Sequence, residues 1–139
     1  MALVVLDTDV SSLIIKDKLP SEMAGQLLGH KLALTYVTVA ELTQWVALRQ
    51  WGPHRRARLA DFRQGKHVII GDEDVAEVWG QLSARATQDG HPCPVNDSWI
   101  AACCLTYGLP LATLNVKDFS YYEQRHGLRL VTTRAAQRP

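Results

Sequence analysis

Leu3-Val4-Val5-Leu6-Asp7-Thr8-Asp9-Val10 opens the chain with an unbroken apolar run that a carboxylate halts. A strand exposed on one face would alternate apolar and polar residues. A continuous run instead suits a parallel strand covered on both sides. Further strand candidates are Lys31–Tyr36, His67–Ile70, Leu111–Leu114 and Arg129–Val131. Helical patterns fill the gaps. Asp9 or Ser11 caps a helix through Ile15, and Pro20-Ser21 opens another through Leu28. Thr38 starts a third, with Leu42, Trp45, Val46 and Arg49 on one stripe, until Gly52-Pro53 breaks it and begins a fourth running to Gln64. Asp72 caps a helix with Val75, Val78, Trp79, Leu82 and Ala86 at helical spacing. Asn96 or Asp97 opens the next, closed by Gly108 and Pro110. Strands alternating with helices predict right-handed crossovers and a three-layer α/β/α fold, with a mostly parallel sheet of four to five strands.

The 139 residues suit one domain, expected over 1–133, with 134–139 as a tail. An apolar fraction of 47% with 21% charged residues excludes a disordered chain. The net charge of +1 does not itself suggest a nucleic-acid partner, so that case rests on local clusters. The odd cysteine count, with Cys103 and Cys104 adjacent, is a reduced, cytosolic pattern, and Cys93 lacks companions at zinc-ligand spacing. Ala2–Leu6 is too short for a secretory signal, and no run approaches the ~20 apolar residues of a membrane span. The expected location is the cytoplasm.

The acids fall where such a sheet would use them. Ligand sites in open parallel sheets lie along the edge where strands end and the following helices begin. Asp7 lies just past the first strand, Glu41 near the start of the helix after the second, Asp97 at the start of the helix leading to the fourth, and Asn115 and Asp118 just after that strand. Asp97 and Glu41 each top an apolar stripe instead of facing solvent. Carboxylates gathered there repel one another, and helix N-termini offset only about 0.3–1 kcal/mol each. A hard divalent cation is the natural remedy, and oxygen-only ligands favour Mg²⁺ or Mn²⁺ over zinc. Each acid also has a plainer reading: Asp7 as a turn residue, Thr38-x-x-Glu41 as a capping box, Asp97 as a dipole-compensating acid, Asp118 as a loop acid.

Together these segments resemble the PIN-domain family, and its VapC toxin branch in particular. Val4 to Ser12 is similar to the family's opening motif, Thr38-Val39-Ala40-Glu41-Leu42 to its second, Pro94 to Ala102 to its third, and Leu111 to Phe119 to its fourth. The resemblance implies an endoribonuclease in which Asp7 and Asp97 ligate the metal, with Glu41 and a fourth acid completing the quartet. Two departures stand out: Asp9 occupies a position that often carries asparagine, and Asn115 stands where many relatives place an acid, so Asp118 must supply that charge. A homodimer and a VapB-like antitoxin partner are implied as well.

On this reading a metal-activated water attacks a scissile phosphate in line, with Thr8, Ser11 and Thr113 hydrogen-bonding the carboxylates. Lys16, Lys18, Arg49, His54, Arg55, Arg56, Arg58 and Lys117 are candidates for RNA phosphate contact. Trp45, Trp51, Trp79 and Trp99 fall on apolar stripes, as core or dimer interface. Two rivals remain. A haloacid-dehalogenase-like phosphatase would use Asp7 of Asp7-x-Asp9 as nucleophile, and an inert interaction module would have kept the fold and lost the metal.

Overall fold

Alternate residues of strand β1 (Leu3–Leu6) serve opposite cores. The computed structural model describes residues 2–137. In it Val5 packs with Ala33, Ile69 and Leu111 beneath one helical layer, while Val4 and Leu6 pack with Leu34 and Ala112 beneath the other. The strands β1, β2 (Lys31–Thr35), β3 (His67–Ile69), β4 (Leu111–Ala112) and β5 (Leu130–Val131) form one five-stranded sheet in the order β3-β2-β1-β4-β5. Every pairing is parallel. This is the α/β architecture that the apolar run predicts.

Helices α1 (Thr8–Ile15), α2 (Ser21–Leu27), α3 (Tyr36–Leu48), α4 (Pro53–Arg63), α5 (Glu73–Gln88), α6 (Val95–Tyr107), α7 (Val116–His126) and α8 (Arg134–Gln137) connect and cover the strands. The first core collects residues from α5, α6 and α7, including Val75, Leu82, Ile100, Cys104, Phe119 and Tyr122. The second collects Val10, Ile15, Met23, Leu42 and Phe62 from α1 to α4. Among the described residues, no helix is long and apolar enough to cross a membrane. From β1 the chain steps outward through β2 to β3, then returns to β4 on the other flank of β1. Connections therefore diverge at β1 and β4, and open parallel sheets place their ligand sites beyond the carboxyl ends of such strands.

Several boundaries differ from the expectations, for local reasons. Asp7, and not Asp9 or Ser11, caps α1, accepting from the Val10 amide at 2.8 Å. Thr35 caps α3 through a bond from the Thr38 amide, so β2 ends at Thr35 and the helix begins two residues before Thr38. That removes the capping box and puts Glu41 in the second turn. Pro94 precedes α6 without a side-chain cap, which leaves Asn96 and Asp97 inside the first turn, free for other partners. Gly108 closes α6 as expected, in the left-handed conformation at φ 65°. Strand β4 stops at Ala112, and Asp118 belongs to the first turn of α7 instead of a loop. In the expected tail, Arg134–Gln137 form a helical turn whose first amide donates to Glu22 Oε1 at 3.0 Å. Residues 138–139 lie outside the described residues.

Candidate active site

Asp7 stands at the carboxyl end of β1, where the strand delivers it and two donors hold its carboxylate. It is only 3% exposed. Oδ1 accepts from the Val10 amide as the cap of α1, and Oδ2 accepts from the Thr113 hydroxyl at 2.5 Å. Thr113 directly follows β4, so this bond crosses the switch point and ties the two central strand ends together. Its oxygen also accepts from the Asn115 amide at 2.9 Å. Burial pushes the Asp7 carboxyl up to about 7, opposed by the Thr113 and Val10 bonds and reinforced by the charges of Asp9 and Asp97.

Asp97 faces this group from the first turn of α6. It is half-buried, and its carboxyl is pushed up to about 6, first by burial and then by the negative charges of Asp118, Glu41 and Asp9. Helix α6 is fixed against α5 by Trp79, whose indole N–H donates to Ser98 Oγ at 2.8 Å and whose ring stacks on Trp99 at 4.5 Å between centroids. Ser98 and Trp99 directly follow Asp97, so their contacts with Trp79 of α5 hold the first turn of α6, from which Asp97 projects.

Glu41 reaches the same place from α3. Its Oε1 accepts from the Thr8 hydroxyl at 2.7 Å, and its Oε2 from the Asn96 amide group at 3.3 Å. Thr8 in turn lies 3.0 Å from the Thr38 hydroxyl. Asp118 accepts from the Asn115 side chain at 2.7 Å. The structure thus gathers Asp7, Glu41, Asp97 and Asp118, with Asp9 exposed at the margin, from four segments distant in sequence.

The supporting residues divide. Thr8 and Thr113 bond carboxylates as expected. Ser11 does not: its hydroxyl donates to the Asp7 backbone carbonyl at 2.8 Å, which stabilises the turn of α1. Asn115 orients Asp118 instead of replacing it. Asn96 and Thr38 were missed, although Asn96 adjoins Asp97 in the most specific motif; only the approach of α6 to α3 shows that it serves Glu41. Of the basic candidates, Lys16, Arg49 and Arg55 cluster around tryptophan rings. Arg56 is exposed on α4, and Lys117 is exposed beside Asp118 on α7.

The donor set is oxygen throughout, and two of its carboxyls, Asp7 and Asp97, hold their protons towards neutrality, first because they are buried and then because other acids surround them. Among the described residues the one ion pair is Arg125 with Asp89, on the far end of α5. Among those residues no three His, Cys, Asp or Glu side chains stand close enough together to hold a metal ion by themselves. That arrangement fits a hard cation bound through one or two carboxylates with waters completing its sphere, and it does not fit a closed zinc-type site.

The PIN domain family model matches residues 4–123. Ribonuclease VapC5 of Mycobacterium tuberculosis is 31% identical over 111 residues, covering 78% of this chain and 80% of that protein. Ribonuclease VapC4 of the same organism is 33% identical over 88 residues, or 61% of this chain and 67% of that one. The crystal structure of VapBC-5 from Mycobacterium tuberculosis, a member of the VapBC family of toxin-antitoxin systems, superposes with a TM-score of 0.69 at 27% identity, over 96% of this chain and 100% of that one. VapBC2 from Rickettsia felis, solved with a DNA fragment from its promoter, gives a TM-score of 0.80 at 20% identity over 94% and 98% of the two chains, a likeness of fold.

Proposed function

The chain belongs to the PIN-domain family, in its VapC branch, and from that premise we propose that it is a metal-dependent endoribonuclease, the toxin of a toxin-antitoxin pair. The observation that carries this reading is the meeting of Asp7, Glu41, Asp97 and Asp118 at the carboxyl edge of β1, with no cationic side chain paired to them among the described residues. Asp7 and Asp97 would hold Mg²⁺ or Mn²⁺, with Asp118 beside Asp97. The named activity of the VapC5 and VapC4 relatives, ribonuclease, supports the substrate class. Structured RNA, transfer or ribosomal loops, is the proposed target.

The bound cation supplies Lewis-acid polarisation of the scissile phosphate and a lowered pKa for water. The chain's own residues do the rest. The Val10 amide and the Thr113 hydroxyl lock the rotamer of Asp7, each taking one lone pair of its two oxygens and leaving the others for the cation. Thr8 and Asn96 occupy one lone pair on each oxygen of Glu41, so its free lone pairs are aimed, and Glu41 can orient the attacking water and take its proton. Asn115 does the same for Asp118. A phosphatase built on Asp7 as nucleophile would leave Glu41 and Asp97 idle, although the Asp97 charge acts on Asp7 and the Glu41 charge on Asp97.

By the same reading the chain acts in the cytoplasm, as a homodimer, and is restrained by a VapB-like antitoxin. The toxin-antitoxin complexes among its structural relatives support that partner. The deciding experiment incubates total RNA with purified protein, with and without Mg²⁺, and maps the new ends. The expected products carry 5′-phosphate and 3′-hydroxyl, and appear only with metal. Cyclic-phosphate ends, or cleavage that persists in chelator, would overturn the mechanism.

A further inference from the structure

Three cations outside the acid cluster are held in place by two tryptophans. Lys16 caps the C-terminus of α1, Arg49 caps the C-terminus of α3, and Arg55 lies in the first turn of α4. The link between α3 and α4 explains how they meet. Gln50 turns the chain with φ 49°, and the Trp51 amide returns to the Val46 carbonyl at 3.3 Å. This drives the Trp51 indole into the core, where it is 4% exposed. The Lys16 ammonium lies 5.8 Å and the Arg55 guanidinium 5.5 Å from the centre of that one ring, and Arg49 lies 4.2 Å from the Trp45 ring. A guanidinium resting on an indole keeps its edge N–H groups free for a planar anion.

The three charges oppose one another. Burial is the first cause that lowers the Lys16 ammonium below its usual value, followed by the Arg55, Arg49 and Lys18 charges. Among the described residues no carboxylate pairs with any of them. Asp9 is the acid that acts on Lys16, and the same Asp9 acts on Asp7 and Asp97. Lys16 and Arg49 close the C-terminal ends of α1 and α3, roughly 12 Å along those helices from Asp7 and Glu41 near their starts, so the cations flank the acid cluster at about the reach of two nucleotides. Like charges held together without a counter-ion on rigid aromatic supports form a preorganised anion site, and one placed beside a phosphodiester-cleaving centre suits a chain of phosphates better than a lone one.

We propose that Lys16, Arg49 and Arg55, held on Trp51 and Trp45, form a phosphate clamp for single-stranded RNA flanking the bond to be cut. The clamp rests on the nuclease reading for its substrate but not for its chemistry, since it binds backbone and leaves the acids to cleave. Neutralising a phosphate releases counter-ions, so each cation contributes about 0.7 to the slope of log affinity against log salt for a single strand.

The test measures binding of a fluorescent single-stranded oligoribonucleotide to the full, metal-free chain by anisotropy across a salt series. Lys16→Gln, Arg49→Gln and Arg55→Gln together should flatten the slope by about 2, and each alone by about 0.7. Lys31→Gln, at the opposite edge of the sheet, should leave it unchanged. Circular dichroism confirms folding, and the single variants of exposed Arg49 and Arg55 stand in should the triple variant fail to fold. With metal present, Arg55→Gln should raise KM and spare kcat. An unchanged slope overturns the clamp, as does a loss shown equally by Lys31→Gln, an absence of RNA binding by wild type, or loss of binding only to an acidic peptide or to inorganic phosphate. If wild type binds RNA with the expected slope yet never cleaves, the nuclease reading fails and the clamp stands.

Discussion

At Asp7, burial and the proposed metal-binding role pull in opposite directions. A carboxylate that is 3% exposed and beside other acids holds its proton up to about 7, against a usual value near 3.8. The folded state thus binds this proton more tightly than the unfolded chain does. The stability this gives is complete below about pH 4 and disappears as pH rises through about 7. In the absence of metal, Asp7→Asn should therefore melt higher than wild type at pH 8, while the two converge near pH 4. Thermal melts at both pH values check it, and a wild type that stays more stable at pH 8 would refute the account. The same variant should be inactive. Asn96→Ala removes one of the two side-chain donors to Glu41. It should weaken cleavage about 10-fold with little change in melting temperature, because positioning partners outside the ligand set commonly matter by 10–100-fold. Measured kcat and Mg²⁺ titrations separate that from a folding defect.

Among the elements, helix beginnings matter most, because each acid leaves the chain within the first two turns of a helix. Thr35 fixes the start of α3 and so the height at which Glu41 projects. Thr35→Ala should lower stability by about 1 kcal/mol, the usual worth of a cap, measurable by urea titration. Trp51 does for the α3–α4 link what the caps do for the helices. Trp51→Ala should cost about 3–5 kcal/mol and release Lys16 and Arg55 together. The strands, the apolar stripes and the Gly108 stop could be read from residue patterns, since these depend on neighbours a few positions apart. The caps were harder. Asp7, Asp9 and Ser11 are all good capping residues, and local preference does not choose among them. The Thr113 bond, formed across the sheet, fixes Asp7 in the role. Likewise Thr38-x-x-Glu41 has the spacing of a capping box, yet Thr35 took the cap and freed Glu41 for Thr8.

For the molecule as a whole, repulsion among converged acids means that a cation should stabilise the fold as well as activate it. Binding to the folded state alone raises stability by RT ln(1 + [L]/Kd), about 2.7 kcal/mol at 100 times Kd. Mg²⁺ or Mn²⁺ should accordingly raise the melting temperature of wild type in proportion to the logarithm of its concentration, and Asp97→Asn should lose that response. A metal-independent melting temperature in wild type would count against the site. The sheet order makes this possible by returning β4 to the flank of β1.

The chain order of residues was enough to reveal a parallel sheet flanked by helices, and to nominate Asp7, Glu41, Asp97 and Asp118 as candidates, because apolar runs and helical periods are local and carboxylates at strand ends are conspicuous. It could not reveal that Asn96 serves Glu41, that Ser11 turns to a backbone carbonyl, or that Lys16 and Arg55 share one indole. Those facts depend on contacts such as Asn96 with Glu41, 55 positions apart, and Lys16 with Trp51, 35 apart, or on a choice between near-equal hydrogen-bond partners, and folding settles such choices through packing, which no short stretch of sequence encodes.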